Sequence, residues 1–215
     1  MEPEIYYNPE TENKKDFAIK KQELFQILIA WVAITFAFSW KGVSGFPSML
    51  VMMPIILLGT LTGFIFHELA HKFVAIHYGA SARFFVWPMG LIFAVVLSLI
   101  TSGGFVFAAP GAVYIWGKNI TKKENGIISI AGPLSNFIIA SIAITLGFVW
   151  KFFIGQTYLM YLFFGVASIN LFLGAFNLLP IPPLDGFKVF VWNKLLWIIS
   201  LVAFIGTYIL LVIYG

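Results

Sequence analysis

The sequence has no cysteine and few charged residues. The absence of cysteine excludes disulfide bonds, thiolate metal ligands and cysteine nucleophiles. Charged residues make up 10% of the 215 residues and hydrophobic residues 60%, whereas charged residues form about 25% of a typical soluble domain. This composition predicts an integral membrane protein. The net charge of +4 indicates lysines that face anionic lipid of the bilayer, with no nucleic-acid partner.

Apolar runs of about 20 residues, long enough to cross a bilayer as helices, account for most of the chain. Five of them are predicted to span the membrane: residues 24–40, 49–71, 127–150, 158–179 and 195–214. A sixth apolar segment, from Val86 to Thr101, is shorter. Residues 1–22 form a predicted polar, cytoplasmic N-terminal tail, and residues 23–215 form a predicted membrane-embedded domain of the all-α class.

Acidic residues and histidines are scarce inside these apolar runs. Six of the nine acidic residues lie at or before Glu23, and Glu124 lies in a hydrophilic loop. Glu68 and Asp185 are therefore the carboxylates that the sequence places in apolar surroundings. Ionisable groups at membrane depth are costly and mark functional sites by default, so both residues are candidates for a site.

The stretch FHELAH carries two of the three histidines of the chain. His67 and His71 are four residues apart, so a helix places them on one face, about one turn apart. Two imidazoles at this spacing can bind one zinc ion, and Glu68, turned about 100° around the helix, is placed to act as a general base. The alternative is the polar end of a helix at the membrane interface.

A catalytic zinc ion usually has three protein ligands, and three residues compete for the third position. His77 has the spacing of a metzincin ligand, but Val74 replaces the glycine that lets the chain turn there. Glu124 lies among lysines in a solvated loop. Asp185 follows the helix-breaking sequence NLLPIPPL, and we predict that it is the ligand. Its alternative role is to cap the helix that follows it.

The distribution of positive charge predicts the topology. If the segment from Val86 to Thr101 spans the membrane, the Lys and Arg residues divide seven to six, and Asp185 lies on the side opposite His71. If this segment enters the membrane and returns to the same side, only Lys41 and Lys151 of the 13 basic residues lie on the side opposite the N-terminus. The second arrangement obeys the positive-inside rule. We therefore expect five spanning helices, a re-entrant hairpin, a cytoplasmic N-terminus and a site near the cytoplasmic side.

The return limb of the hairpin is predicted to contain a short β element. Pro110 and Gly111 suggest a type II turn, flanked by short strands at residues 105–108 and 112–115, which are rich in β-branched and aromatic residues. A free strand edge beside a protease site can bind an extended segment of substrate by strand addition. We expect such binding along the segment from Phe105 to Ile115. The alternative is an apolar turn packed against other helices.

The HELAH sequence and the downstream LDG sequence, on separate apolar segments, resemble the site-2 protease family of intramembrane zinc metalloproteases. The resemblance extends from about Met49 to Lys188. His67, Glu68 and His71 match the HExxH motif of the family, and Asp185 matches its third zinc ligand. The PDZ or CBS domains that many members carry are not found in this sequence.

Two asparagines extend the resemblance. Asn177, eight residues before Asp185, matches an asparagine that the family places beside the site. Asn136 ends the sequence AGPLSN, which is similar to a Gly-Pro helix of the family. The resemblance and the polar character of these side chains suggest that Asn177 or Asn136 binds the substrate backbone or the developing oxyanion. Helix packing is the alternative for both.

The resemblance implies a zinc metalloendopeptidase of the cell membrane, which hydrolyses a peptide bond in or near the transmembrane segment of a protein substrate. Zinc, the expected cofactor, polarises the scissile carbonyl and acidifies water, and Glu68 transfers the proton to the leaving amine. Two alternatives are a prenyl-protein type of membrane metalloprotease, for which only Glu124 remains as a ligand, and a membrane metal transporter or metal-binding protein that uses the same ligands.

Overall fold

The computed structural model describes residues 18–116 and 119–215, so most of the predicted N-terminal tail lies outside the described residues. Within them, five helical stretches are long and apolar enough to cross a membrane. They are helix α1 (Lys21–Ser39), a continuous stretch at Val43–His77, and helices α5 (Lys122–Phe153), α6 (Tyr158–Asn177) and α8 (Lys194–Tyr214). The prediction of an all-α membrane protein with five spanning helices is confirmed.

The 35-residue stretch Val43–His77 carries the HELAH sequence and changes its helical geometry along its length. A short 3-10 turn (Val43–Gly45) leads into helix α2 (Phe46–Thr60). A wider π turn (Leu61–Ile65) follows and leads directly into helix α3 (Phe66–His77). Turns of the π type occur mostly as single interruptions of α-helices and often at functional sites.

Two short strands form a small antiparallel sheet. Strand β1 (Ser81–Val86) pairs with strand β2 (Gly111–Trp116), from Ser81 opposite Trp116 to Val86 opposite Gly111. The 13-residue helix α4 (Pro88–Ile100) lies between them in the chain. Since Val86 and Gly111 are directly paired, the segment between them leaves and returns to the same place, as predicted for a re-entrant hairpin.

The predicted details of the β element are partly wrong. Residues 112–115 lie in β2, but residues 105–108 form no strand, and Pro110 and Gly111 do not form the turn of a hairpin. The Pro110 carbonyl accepts a hydrogen bond from the Trp87 backbone N–H at 2.8 Å, so this position starts β2. The partner strand lies before α4 instead of directly before the turn.

The re-entrant segment reaches the end of α1 that lies farthest from the sheet. The Ser98 hydroxyl in α4 donates a hydrogen bond to the Ala37 carbonyl in α1 at 2.7 Å. Gly103 lies so close to the end of α1 that an added Cβ would be 1.8 Å from the Trp40 carbonyl oxygen. Helix α4 is about 20 Å long, and together with β1 it therefore extends along most of α1.

The main apolar core lies between α5, α6 and α8. Ala140 and Ala143 of α5 pack with Phe164 of α6 and with Phe204 and Leu211 of α8. The small side chains of α5 allow the large aromatic rings to fill the space between helices. This core fixes α5, which packs against α3, to α6, which packs against α2 and the π turn.

Candidate metal centre

Three predicted ligands meet at the end of the spanning stretch Val43–His77. The Nε2 atom of His67 lies 3.2 Å from Oδ2 of Asp185, and the Nε2 atom of His71 lies 2.9 Å from the same oxygen. The two Nε2 atoms are 3.0 Å apart. Among the residues that the structure describes, these two histidines and one aspartate form a buried group whose ligand atoms are close enough to hold a metal ion.

Asp185 reaches the histidines because the chain folds back after α6. Gly186 packs so tightly against the end of α6 that an added Cβ would lie 2.0 Å from the Leu178 carbonyl oxygen. Helix α7 (Asp185–Trp192) begins at the aspartate, and no side chain caps it. Leu184 occupies the N-cap position, so the capping role considered for Asp185 is not observed.

The other two candidates for the third ligand lie elsewhere. His77 is exposed at the end of α3, where its ring contacts the ring of Tyr78. Glu124 forms a capping box with Thr121 at the start of α5: its carboxylate accepts from the Thr121 N–H at 2.8 Å, and its own N–H donates to the Thr121 hydroxyl at 3.2 Å. Glu124 thus stabilises a helix end.

Hydrogen bonds orient both imidazole rings. The Nδ1 atom of His71 lies 2.7 Å from the Ile128 carbonyl oxygen of α5, and the Nδ1 atom of His67 bonds to Oδ1 of Asn136. A carbonyl oxygen only accepts hydrogen bonds, so each Nδ1 carries the proton. The lone pair of each Nε2 atom is therefore available for a metal ion, as is usual for zinc-binding histidines.

The donor set fits a zinc ion. Tetrahedral zinc with ligands near 2.0 Å separates neighbouring ligand atoms by about 3.3 Å, close to the 2.9 to 3.2 Å found here. Gly132 of α5 faces both rings: an added Cβ would lie 2.3 Å from the His71 Nε2 atom and 2.6 Å from the His67 Nε2 atom. A residue without a side chain thus keeps this space open.

The charge state of Asp185 also suits a cation. The ammonium of Lys188 lies beside the Asp185 carboxylate and favours its ionised form. The Lys188 Nζ atom lies 3.4 Å from Oδ1, whereas the histidines face Oδ2. One oxygen of an ionised carboxylate is thus directed to the space between the rings.

A cavity of about 250 Å³ opens beside this group. Glu68, Asn177 and Asp185 line it together with residues 111–115 of β2. The Oε2 atom of Glu68 is buried without a hydrogen-bond partner, which is costly unless a ligand or water supplies one. The predicted base, one predicted asparagine and a strand edge therefore share one space.

The two asparagines have different surroundings. Asn177 lines the cavity, and its Nδ2 atom donates to the Leu173 carbonyl at 3.0 Å. Asn136 is fully buried, and its Nδ2 atom donates to the Gly63 carbonyl at 2.8 Å and to Oδ1 of Asn170 at 3.1 Å. A substrate contact by Asn136 would have to replace one of these bonds, and it stays a prediction.

One buried ion pair near the site was missed in the sequence. The Glu23 Oε2 atom lies 2.6 Å from the Lys72 Nζ atom, and the Glu23 Oε1 atom accepts a hydrogen bond from the Phe84 N–H of β1 at 3.1 Å. The side chains of Glu23 and Lys72 are 1% and 3% exposed. The signal was Lys72 itself: a lysine that directly follows His71 on a membrane helix needs a counter-charge.

Comparison with known proteins decides the family. The "Putative zinc metalloprotease MJ0611" of Methanocaldococcus jannaschii is 40% identical over 195 residues, which cover 88% of this chain and 94% of that protein. The chain belongs to the site-2 protease family of zinc metalloproteases. Zinc is therefore the cofactor to which the donor set corresponds, and the five apolar helices make the chain an integral membrane protein.

Two further relatives are more distant members of this group. The "Putative zinc metalloprotease YwhC" of Bacillus subtilis is 34% identical over 155 residues, or 65% of this chain and 69% of that protein. The "Putative zinc metalloprotease Rip2" of Mycolicibacterium smegmatis is 27% identical over 190 residues, or 79% of this chain and 70% of that protein. No family model matches the chain, and no solved structure matches it significantly.

Proposed function

We propose that this site-2 protease hydrolyses a peptide bond in or near the membrane-spanning segment of another membrane protein. The observation that carries the proposal is the position of the donor group. His67 and His71 lie on a stretch long enough to cross a membrane, and Asp185 completes the group beside a cavity that also holds Glu68. A metalloprotease site built on a spanning helix suits a substrate that is itself in the membrane.

In the proposed mechanism, His67, His71 and Asp185 hold the zinc ion. Zinc, when bound, polarises the scissile carbonyl and makes water a stronger acid. Glu68 accepts a proton from the attacking water and delivers it to the nitrogen of the leaving amine as the C–N bond breaks. The unpartnered Oε2 atom of Glu68 is the oxygen that is available for this transfer.

The substrate is proposed to bind as an added strand on the outer edge of β2. Opposite residues of an antiparallel pair alternate between hydrogen-bonded and non-bonded positions. The N–H groups of Phe84 and Val86 in β1 donate to α1 side chains instead of β2. Their partners Val113 and Gly111 therefore direct their own N–H and C=O groups away from β1, towards the cavity.

The cavity supports this binding mode. The outer edge of β2 faces the same space as Glu68 and Asp185. The Val113 N–H reaches Glu68, and we propose that a substrate carbonyl takes over this donor when the strand binds. Within the predicted binding segment from Phe105 to Ile115, we therefore propose residues 111–115 as the part that pairs with the substrate. A substrate helix has to unwind before it can pair with this edge, so helix-breaking Gly and Pro residues in the substrate are expected to favour cleavage.

Asn177 is the asparagine that we propose as a substrate ligand. It lines the cavity together with Asp185 and Glu68, whereas the amide hydrogens of Asn136 already donate within the protein. From this position, the side chain of Asn177 can bind the substrate backbone or the oxyanion that develops during hydrolysis.

The proposed location is the cell membrane, with the site towards the cytoplasmic side. Support comes from the positive charges: all 13 basic residues except Lys41 and Lys151 belong to the side of the site in the re-entrant topology. Cleavage there would release the cytoplasmic part of a substrate. We therefore propose a role in regulated intramembrane proteolysis, the class of reactions in which such release transmits a signal.

The test is cleavage of a model single-pass membrane protein by the purified protein in lipid vesicles. The wild type is expected to cleave it, and a zinc chelator is expected to stop cleavage. Glu68→Gln is expected to lower the rate at least about 100-fold, the usual contribution of a general base, while zinc content stays at the wild-type level.

Two results would contradict the proposal. If Glu68→Gln cleaves normally, Glu68 is not the base. If the wild type does not cleave the substrate but moves zinc across the vesicle membrane, the chain is a metal transporter with the same ligands. Asp185→Asn is the companion variant, and it is expected to lose zinc together with activity because it removes a charged ligand.

A further inference from the structure

Two buried asparagines connect the metal centre to the π turn. Asn136 of α5 and Asn170 of α6 are both fully buried, in a part of the protein where polar groups are costly unless they are paired. Asn136 bonds to His67, and Asn170 bonds to Asn136 and to Thr62 of the π turn. These residues thus form one continuous row of hydrogen bonds that ends at a predicted zinc ligand.

The direction of each hydrogen bond in this row follows from backbone carbonyls, which only accept. The Asn170 Nδ2 atom lies 2.9 Å from the Val166 carbonyl oxygen, so Nδ2 donates there and Oδ1 remains an acceptor. The second hydrogen of Nδ2 goes to the Thr62 hydroxyl at 2.9 Å. The Thr62 hydroxyl can accept it, since its own hydrogen goes to the Leu58 carbonyl at 2.8 Å.

The same argument fixes Asn136. Its Nδ2 atom donates to the Gly63 carbonyl of the π turn at 2.8 Å and to Oδ1 of Asn170 at 3.1 Å. Both amide hydrogens are then used, and Oδ1 faces Nδ1 of His67. Since Oδ1 accepts, Nδ1 of His67 must carry the proton, and its Nε2 atom presents a lone pair to the metal site.

His71 obtains the same orientation in a simpler way. Its Nδ1 atom donates directly to the backbone carbonyl of Ile128. Unlike a side-chain amide, a backbone carbonyl cannot rotate to present a donor in place of its oxygen. The orientation of His67 depends on a side-chain amide, which would present its NH₂ group if it rotated by 180°. Two acceptors oppose this rotation, because a rotated Asn136 would present its oxygen to the Gly63 carbonyl and to Oδ1 of Asn170. Asn170 is the side chain among these two acceptors, and it adds its hydrogen bond to that of the backbone.

We propose that Asn170 is a positioning residue for zinc binding, which acts through Asn136 to hold His67 with its Nε2 atom towards the metal. The proposal rests on the proposed role of His67 as a zinc ligand. Loss of a direct hydrogen-bond partner of a metal ligand weakens metal binding by about 10- to 100-fold. Asn136 is such a partner of His67, and Asn170 lies one residue further away, so a smaller effect is expected for Asn170.

The test is the zinc affinity of the purified full chain in detergent, measured by competition with a chelating indicator. Asn170→Leu has a similar size but cannot accept a hydrogen bond, and it is expected to bind zinc more weakly by up to about 10-fold, the lower end of the effect of a direct ligand partner. Asn170→Asp, in its protonated form, keeps an acceptor oxygen towards Asn136 and an O–H for the Val166 carbonyl, and it is expected to bind zinc more tightly than Asn170→Leu. Ser98→Ala, which removes another buried hydrogen bond between helices, is the matched control and is expected to leave zinc affinity unchanged.

A double-mutant cycle separates positioning from general packing. If Asn170 acts through Asn136, then Asn170→Leu weakens zinc binding in the wild type but has no further effect in an Asn136→Leu background. Thermal unfolding of the zinc-free variants reports any loss of packing separately. If Asn170→Leu does not fold, Asn170→Ala, which retains high helix propensity, carries the same expectation.

Unchanged zinc affinity in Asn170→Leu or Asn170→Ala would overturn the inference, as would equal effects of the substitution with and without Asn136. Failure of the proposed function gives a different result. If His67→Ala binds zinc as tightly as the wild type, His67 is not a ligand, and the proposed mechanism fails together with the inference. If His67→Ala loses zinc but Asn170→Leu does not, the inference alone fails.

Discussion

The two strands of the small sheet have opposite surroundings at their outer edges. The outer edge of β1 is covered by α1: Glu23 accepts the hydrogen bond of the Phe84 N–H, and Gln26 accepts that of the Val86 N–H at 2.9 Å. The outer edge of β2 faces the cavity beside the metal centre. Unpaired strand edges are costly at membrane depth. The protein therefore closes one edge with side chains and leaves the other available where hydrolysis is proposed.

The covered edge also carries the largest expected effect of a substitution. Glu23→Leu would remove the acceptor for Phe84 and leave the ammonium of Lys72 buried without its partner. Loss of one member of a buried ion pair costs about 3–5 kcal/mol, so we expect destabilisation of that size, measured by denaturant titration in mixed micelles. Glu23→Gln keeps an acceptor for the Phe84 N–H but removes the negative charge. It therefore separates the contribution of the ion pair from that of the hydrogen bond at the strand edge. Equal stability of wild type and Glu23→Leu would contradict the ion pair.

The open edge can be tested without disturbing the sheet. Val113→Pro removes an N–H that points away from β1, and proline is tolerated at such edge positions. Because this N–H also reaches Glu68, Ile115→Pro, which removes the next outward N–H of β2, is measured beside it with the same expectation. We expect kcat/KM for a membrane substrate to fall about tenfold, the value of one backbone hydrogen bond, with zinc affinity unchanged. Ala112→Pro is the control, since it removes an N–H that faces β1 and should destabilise the sheet. Full activity of Val113→Pro would argue against strand addition along β2.

Removal of the second edge-covering side chain should have the smallest effect. Gln26→Leu leaves the Val86 N–H without its acceptor, and one such bond contributes about 1 kcal/mol to the free energy of unfolding. We expect a loss of this size in the same denaturant titration, and faster hydrogen exchange of the Val86 amide. A variant with unchanged exchange at Val86 would show that Gln26 does not cover this edge.

The membrane architecture could be predicted from the sequence because it depends on length and hydropathy. The five predicted spans correspond to the five apolar helices, with ends that differ by a few residues. The re-entrant path between Val86 and Gly111 could be inferred from the distribution of positive charge and from the need to bring Asp185 to the same side as His71. It required no knowledge of packing, since Lys and Arg residues in short loops bias the orientation of membrane segments.

The sheet could be predicted only in part, since strand pairing depends on contacts between distant residues. Residues 112–115 have the composition of a strand, but their partner Ser81–Val86 lies before an intervening 13-residue helix. Local turn signals at Pro110 favoured a hairpin, and no local signal identifies a partner about 30 residues away. The pairing is set by α1, whose Glu23 and Gln26 hold β1 in place.

The ionisable residues of the candidate site could be predicted from the sequence, but the residues that hold them in place could not. His67, His71 and Asp185 stood out because ionisable residues are rare in apolar runs, and the structure brings them together; their roles stay predictions. Asn170 was passed over, although a single asparagine in the middle of the apolar helix α6 was the available signal. Glu23 was hidden among the acidic residues of the N-terminal tail.

The separation of the ligands along the chain has a consequence for the protein itself. His67 and Asp185 are 118 residues apart, so a metal ion bound by both ties two remote parts of the polypeptide together like a removable cross-link. A ligand that binds the assembled form and not the opened one shifts the equilibrium towards assembly by mass action. The metal ion that serves hydrolysis thus also stabilises the folded form of this protein.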